Sequence, residues 1–251
     1  MSTLANLTHT GRIGTLALNR PDARNSISLD LLDALSARMS ELEKRDDLSV
    51  LILTGEGKAF CAGMDLKAVL SDPALPLKLL SGLATFCLRL RRLPMVTLAK
   101  VNGAAIGGGC GLATVCDIAI THADSKMGFP EVDLGVCPAV VAPWLVRKVG
   151  AGRARHILLS GGLMSGQRAF EVGIVNQVVP TREDLDKAVD EAAARLATGG
   201  PNALRATKGL LNELDGSLDE EIGRKAAELS ARVLATPEAR AMLEAKLNSA
   251  R

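Results

Sequence analysis

Three consecutive glycines, Gly107, Gly108 and Gly109, within the stretch 103–111 (GAAIGGGCG), constrain this chain more than any other feature. They lie between an apolar run at 95–101 and an apolar segment at 112–115. Lacking a Cβ, glycine lets a backbone pass close to another backbone or a ligand. At a helix start, its N–H groups also stand open to an anion, or to an oxygen acquiring negative charge. The run predicts a strand, a tight turn and a helix whose first turn faces a ligand. The same glycines would also serve strand–helix packing alone, so the rest of the chain has to decide between the two uses.

Apolar runs of strand length alternate with helical periodicity on both sides of it. Residues 13–19 (IGTLALN) read as a strand ended by Arg20-Pro21-Asp22. Ser28 is placed to cap a helix carrying Leu31, Leu32, Leu35, Met39 and Leu42 on one face. Residues 50–54 (VLILT) are a continuous apolar run, as expected for a strand covered on both faces, and 94–101 (PMVTLAKV) and 116–120 (CDIAI) read as further strands. Strand, helix, strand implies crossover units of a parallel sheet, hence an α/β fold. Residues 71–76, with Pro73 and Pro76, read as a mobile loop. Helices are expected over 77–93 and 140–149, and the helix–strand rhythm continues through 151–159, 165–172 and 173–179. From Arg182 onward the pattern is almost wholly helical. No Pro- or Ser-rich linker precedes it, so residues 1–195 read as a core and 196–251 as a helical region covering that core or a neighbouring subunit.

Aromatic residues make up only 2% of the chain, with no Tyr and one Trp, so the core must be built from Leu, Val, Ile, Ala and Met. Lys and Arg total 30 against 28 Asp and Glu, which leaves no electrostatic footprint for nucleic acid or a membrane surface. The five cysteines have no C-x-x-C spacing and only three histidines accompany them, which argues against a metal site and for a reducing, cytoplasmic compartment. The first residues show no secretory leader, and no apolar run is long enough to span a membrane.

Two further segments invite chemistry. Residues 59–67 (AFCAGMDLK) follow the 50–54 strand at its C-terminal end, where ligands bind in layered α/β architectures. Residues 129–135 (FPEVDLG) place Glu131 on a loop beside a proline, where a lone Glu is more often solvated than catalytic.

In this order, the AGxDL segment at 62–66, NGxxxGGGC at 102–110 leading to CDIAI, and PEVxLGV at 130–136 resemble the enoyl-CoA hydratase/isomerase (crotonase) superfamily, closest in pattern to bacterial methylglutaconyl-CoA hydratase-like members. NRPxxRNS at 19–26 and GLMSGQRAFEVGIVNQVV at 162–179 extend the resemblance over essentially the whole chain. It implies a crotonase-like spiral of stacked ββα units with a C-terminal helical region that forms trimers, often paired into hexamers. It implies a substrate held as an acyl-CoA thioester, so coenzyme A arrives with the substrate and no separate cofactor is needed. The thioester oxygen would accept two N–H bonds, from Met64 and Gly108. Coenzyme A would be held by Arg24, Ala62, Asp65, Leu66 and Lys67, with Arg24 and Lys67 as phosphate partners.

The chain departs from the hydratase pattern at one position. Where the family's first glutamate follows GGGC, this chain has Gly111; the second is retained as Glu131, with Asp133 nearby. The position of the dienoyl-CoA isomerase aspartate is Ala139. Hydration is most simply a two-group reaction, whereas moving a double bond needs one base that takes a proton and returns it. Mechanism alone therefore favours Δ3,Δ2-enoyl-CoA isomerisation by Glu131. The finer pattern resembles bacterial hydratases of branched or carboxylated enoyl-CoAs, which also tend to carry Gly after the triplet, and so leans to hydration of such a substrate; losing a Glu side chain at Gly111 would also make room for a branched or longer acyl group. An acyl-CoA-binding protein without turnover is the third reading.

Overall fold

The computed structural model describes residues 4–72 and 74–249. β1 (Ala5–Thr10) and β2 (Ile13–Leu18) form an antiparallel hairpin turned at Gly11. The Ser28 hydroxyl accepts the Leu31 N–H and starts α1 (Leu29–Leu42), whose five expected apolar residues are all buried. Then come β3 (Val50–Gly55), β4 (Ala59–Cys61), α2 (Leu66–Ser71) and α3 (Leu75–Arg92). The pattern recurs as β5 (Val96–Val101), β6 (Ala104–Ile106) and α4 (Gly108–Val115), and again as β7 (Ile118–His122), β8 (Lys126–Gly128) and α5 (Ala142–Val149). Next are α6 (Ala151–Ser160), β9 (Leu163–Ser165), α7 (Gly166–Glu171) and β10 (Gln177–Val179). The chain ends in α8 (Glu183–Ala197), α9 (Pro201–Leu214), α10 (Glu220–Leu234) and α11 (Pro237–Ser249).

The longer strands form one six-stranded sheet, ordered β1-β2-β3-β5-β7-β10 and parallel from β2 onward. The short strands form a second sheet, ordered β4-β6-β8-β9. Each ββα unit thus gives one strand to each sheet. The main core lies between the sheets and helices α1, α3, α4 and α5. On the other face of the long sheet, Val50, Ile52, Leu98 and Ile120 pack against Leu185, Val189 and Ala193 of α8, so β3, β5 and β7 are covered on both sides, as the apolar run of β3 predicts.

Several boundaries differ from expectation. The expected loop at 71–76 is two helix ends, because Pro76 falls in the first turn of α3, where its missing N–H costs nothing; Pro73 lies outside the described residues. The strand expected over 173–179 is only Gln177–Val179, and the 140–149 helix begins at Ala142.

The helical ending is fastened to the core by charge. Lys208 of α9 is buried and donates to the Met95 carbonyl and the Asp117 carboxylate, both at 2.8 Å. Arg91 reaches Asp117 at 3.0 Å and Asp215 at 2.8 Å. Burial alone would raise the Asp117 carboxyl, but Lys208, the Thr97 N–H and Arg91 hold it below its ordinary value. α10 packs along α3, and α11 lies over α2 and the turn at Gly135, so these helices cover the core of their own chain. Among the described residues, no helix is long and apolar enough to cross a membrane.

Candidate active site

The glycine run is shaped by two close approaches. Gly107 adopts φ 54 and ψ −120, a conformation that L side chains rarely reach, and turns the chain from β6 into α4. At Gly109, a Cβ would collide with the Cys61 carbonyl, so the start of α4 presses directly on the 59–65 segment. The Gly107 N–H is taken by the Gly128 carbonyl at 2.8 Å. The next N–H, that of Gly108, opens α4 and has no acceptor inside the helix.

Across from it, the 24–27 loop runs beside the 62–65 segment as a short parallel ladder. The Ala62 N–H donates to the Arg24 carbonyl at 3.0 Å, the Ile27 N–H to the Gly63 carbonyl at 2.8 Å, and the Asp65 N–H to the Ile27 carbonyl at 3.0 Å. In such a ladder, bonds to one neighbour alternate along the strand, so the Met64 N–H points away from Ile27. A Cβ on Gly63 would lie 4.0 Å from the Gly108 nitrogen, which sets the two segments side by side. Met64 and Gly108 both line a cleft of about 860 Å³.

Glu131 lines the same cleft. It begins a 3-10 turn after Pro130, and its carbonyl accepts the Leu134 and Val136 N–H groups, fixing the backbone. Its Oε1 lies against Gly107, where a Cβ would come within 2.8 Å. Its Oε2 is buried with no hydrogen-bond partner among the described residues. Burial, and secondarily the Asp133 charge, push the Glu131 carboxyl up from 4.5 to about 7. A carboxyl poised near neutrality in a cleft is suited to acid–base work.

The residues expected to hold coenzyme A divide. Ala62 and Leu66 line the cleft, whereas Arg24, Asp65 and Lys67 are not among its lining residues. Arg24 is exposed at the 24–27 loop, hydrogen-bonded through its carbonyl to Ala62, and Lys67 is exposed in the first turn of α2. Asp65 caps α2 through the Ala68 N–H and pairs with Arg20 at 2.9 Å, so its side chain organises the segment. Asp133 lines the cleft but accepts the Gly162 N–H at 2.7 Å and is exposed.

Two features of the cleft escape the sequence. α11 supplies part of its wall through Met242, Ala245 and Lys246, and β9 contributes Leu163. An amphipathic helix reads alike whether it faces its own chain or another, so no sequence signal marks α11. The second feature corrects an expectation. Gly111 makes no room beside the site, because a Cβ there would overlap the Cγ1 of Val141, which already fills that space at the start of α5.

The family profile for enoyl-CoA hydratase/isomerase matches residues 8–245. A crotonyl-CoA hydratase of Syntrophomonas wolfei is 34% identical over 205 residues, 80% of this chain and 78% of that protein. A 2,3-dehydroadipyl-CoA hydratase of Escherichia coli K12 is 33% identical over 203 residues, covering 80% and 79%. The crystal structure of an enoyl-CoA hydratase from Mycobacterium avium superposes with a TM-score of 0.88 at 27% identity, over 99% of this chain and 98% of that one. The two sheets built from repeated ββα units are therefore the crotonase-like α/β fold, and the chain belongs to the enoyl-CoA hydratase/isomerase family.

Proposed function

We propose that this chain acts on the double bond of an enoyl-CoA, with Glu131 as its single acid–base group and the Met64 and Gly108 N–H groups holding the thioester oxygen. The observation that carries the reading is the buried Glu131 carboxyl, poised at about 7 in the cleft that Met64 and Gly108 also line. Two fixed N–H donors on a thioester oxygen acidify the adjacent carbon, because the charge left by its proton settles on that oxygen as an enolate. Each donor contributes roughly 100- to 1,000-fold to the rate. A carboxyl near neutrality is populated in both forms, so it takes a proton and returns it without help.

Shifting a double bond from C3–C4 to C2–C3 asks for nothing more. Glu131 takes the proton from C2, the enolate rests on the oxygen, and the same carboxyl returns a proton at C4. Isomerisation is the reaction this geometry supports best. Hydration is the second reading, favoured by the hydratase names of the two relatives; there Glu131 takes a proton from the water adding at C3 and hands it to C2. Arg24 and Lys67, both exposed near Ala62 and Leu66, are the phosphate partners in either case.

The test is turnover of 3-enoyl-CoA, crotonyl-CoA and 3-methylglutaconyl-CoA, read by enoyl-thioester absorbance and product mass. Isomerisation raises absorbance at constant mass, and hydration lowers it with the mass gain of one water. Binding of all three without turnover would defeat the enzymatic reading in favour of a carrier. Assembly into trimers or paired trimers is supported by Leu210, Leu211 and Leu214, which α9 leaves exposed; a monomer on sedimentation would oppose it. The five unpaired cysteines support a reducing compartment.

A further inference from the structure

Beyond Met64, Gly108, Glu131 and Val136, which it shares with the main cleft, a second chamber continues inward. Its volume is about 20 Å³, room for a single water- or methyl-sized group. Leu80 and Leu83 of α3 and Val140 and Val141 before α5 line it. All four side chains pack in the main core, so the walls are braced from behind. Val141 packs on the bare Gly111 backbone of α4 and also lines the chamber.

The chamber also lacks a counter-charge. Among the described residues, Glu131 is its one charged lining residue, and no Lys, Arg or His lines it. The Ser230 hydroxyl, which also lines it, already donates to the Cys137 carbonyl at 2.7 Å and accepts the Ala139 N–H at 3.2 Å. A carboxylate-ended acyl group would bring a second negative charge beside Glu131 with nothing to pair it, which is costly in a buried apolar space.

We infer that Val141 closes the acyl end of the site, so that the chain takes a short, uncharged acyl group of about four carbons. The inference rests on the enoyl-CoA reading. With the thioester oxygen between Met64 and Gly108 and C2 beside Glu131, only the terminal carbon of a four-carbon chain remains for the chamber. This departs from the branched or carboxylated substrate that the resemblance implies, because the space Gly111 leaves belongs to Val141. Val141 is thus a specificity-determining residue.

Binding of saturated acyl-CoAs tests the chamber apart from catalysis. Butyryl-, hexanoyl-, octanoyl- and glutaryl-CoA are titrated calorimetrically into wild type, Val141→Ala and Val141→Leu, with crotonyl-CoA and 3-butenoyl-CoA turnover followed in parallel. Wild type is expected to bind butyryl-CoA at least tenfold more tightly than octanoyl- or glutaryl-CoA. Val141→Ala should narrow the hexanoyl gap severalfold or more, and Val141→Leu should weaken butyryl-CoA itself. Wild-type binding of octanoyl- or glutaryl-CoA as tight as butyryl-CoA would overturn the inference. An unchanged ranking in both variants, with circular dichroism showing them folded, would do the same. Absence of turnover with the expected ranking intact would sink the proposed reaction while leaving the short chamber standing.

Discussion

Replacing Glu131 with Gln should make the protein more pH-tolerant, and the size of the effect follows from the burial of the carboxyl. Its proton affinity rises from 4.5 in the unfolded reference to about 7 in the fold. The folded state therefore binds the proton more tightly, so this one group's contribution to stability is greatest below pH 4.5 and falls as pH climbs toward 7, by roughly 1.4 kcal/mol per unit. Above pH 7 both states have ionised and the full penalty, about 3 kcal/mol, is in place. Glu131→Gln removes this dependence, and the cost of burying the amide is the same at every pH. In urea unfolding at pH 5 and pH 8, at fixed protein concentration, the variant should gain about 2–3 kcal/mol on wild type between the two pH values. Other titrating groups cancel in that difference. An equal stability difference at both pH values would show that Glu131 ionises as an ordinary solvated carboxyl, and the acid–base assignment would lose its physical basis.

Gly111→Ala should cost about 1–3 kcal/mol by overpacking against Val141, and adding Val141→Ala should return part of that loss. Chemical denaturation of the two singles and the double checks this; costs that simply add would contradict the contact. Asp117→Asn should destabilise by about 3–5 kcal/mol because Lys208 stays buried without its partner charge. In wild type the Asp117 contribution is present above the ordinary carboxylate range and lost only as pH falls below it, so an acid-unfolding midpoint that moves upward in Asp117→Asn is the expected readout.

The parts of the fold legible in the sequence are those that carry their own pattern. β3 and β5 read correctly because α8 covers the face left by the main core, so their residues are mostly apolar, and α1 reads correctly because one face alternates at helical spacing. β4, β6 and β8 do not, since three residues carry no period and their partners are each other, tens of residues apart. The cleft shows the same division. Gly107 and Gly109 announce a close approach, yet only the fold reveals that Gly109 meets Cys61 and that Gly107 faces Glu131. Glu131 alone looks like a solvated loop residue; the resemblance singles it out, and its burial comes from elements remote in the chain. At Gly111 the sequence displays the missing carboxylate but not its replacement, because Val141 lies thirty residues on, and nothing in either local pattern pairs them.

Whether one carboxyl does all the proton transfer is decided by the turnover of Glu131→Gln. With 3-enoyl-CoA and crotonyl-CoA as substrates and butyryl-CoA affinity measured alongside, kcat should fall about 100- to 10,000-fold with affinity within a fewfold of wild type. A Glu131→Gln variant that turns over either substrate at close to the wild-type rate would contradict the single-carboxyl mechanism.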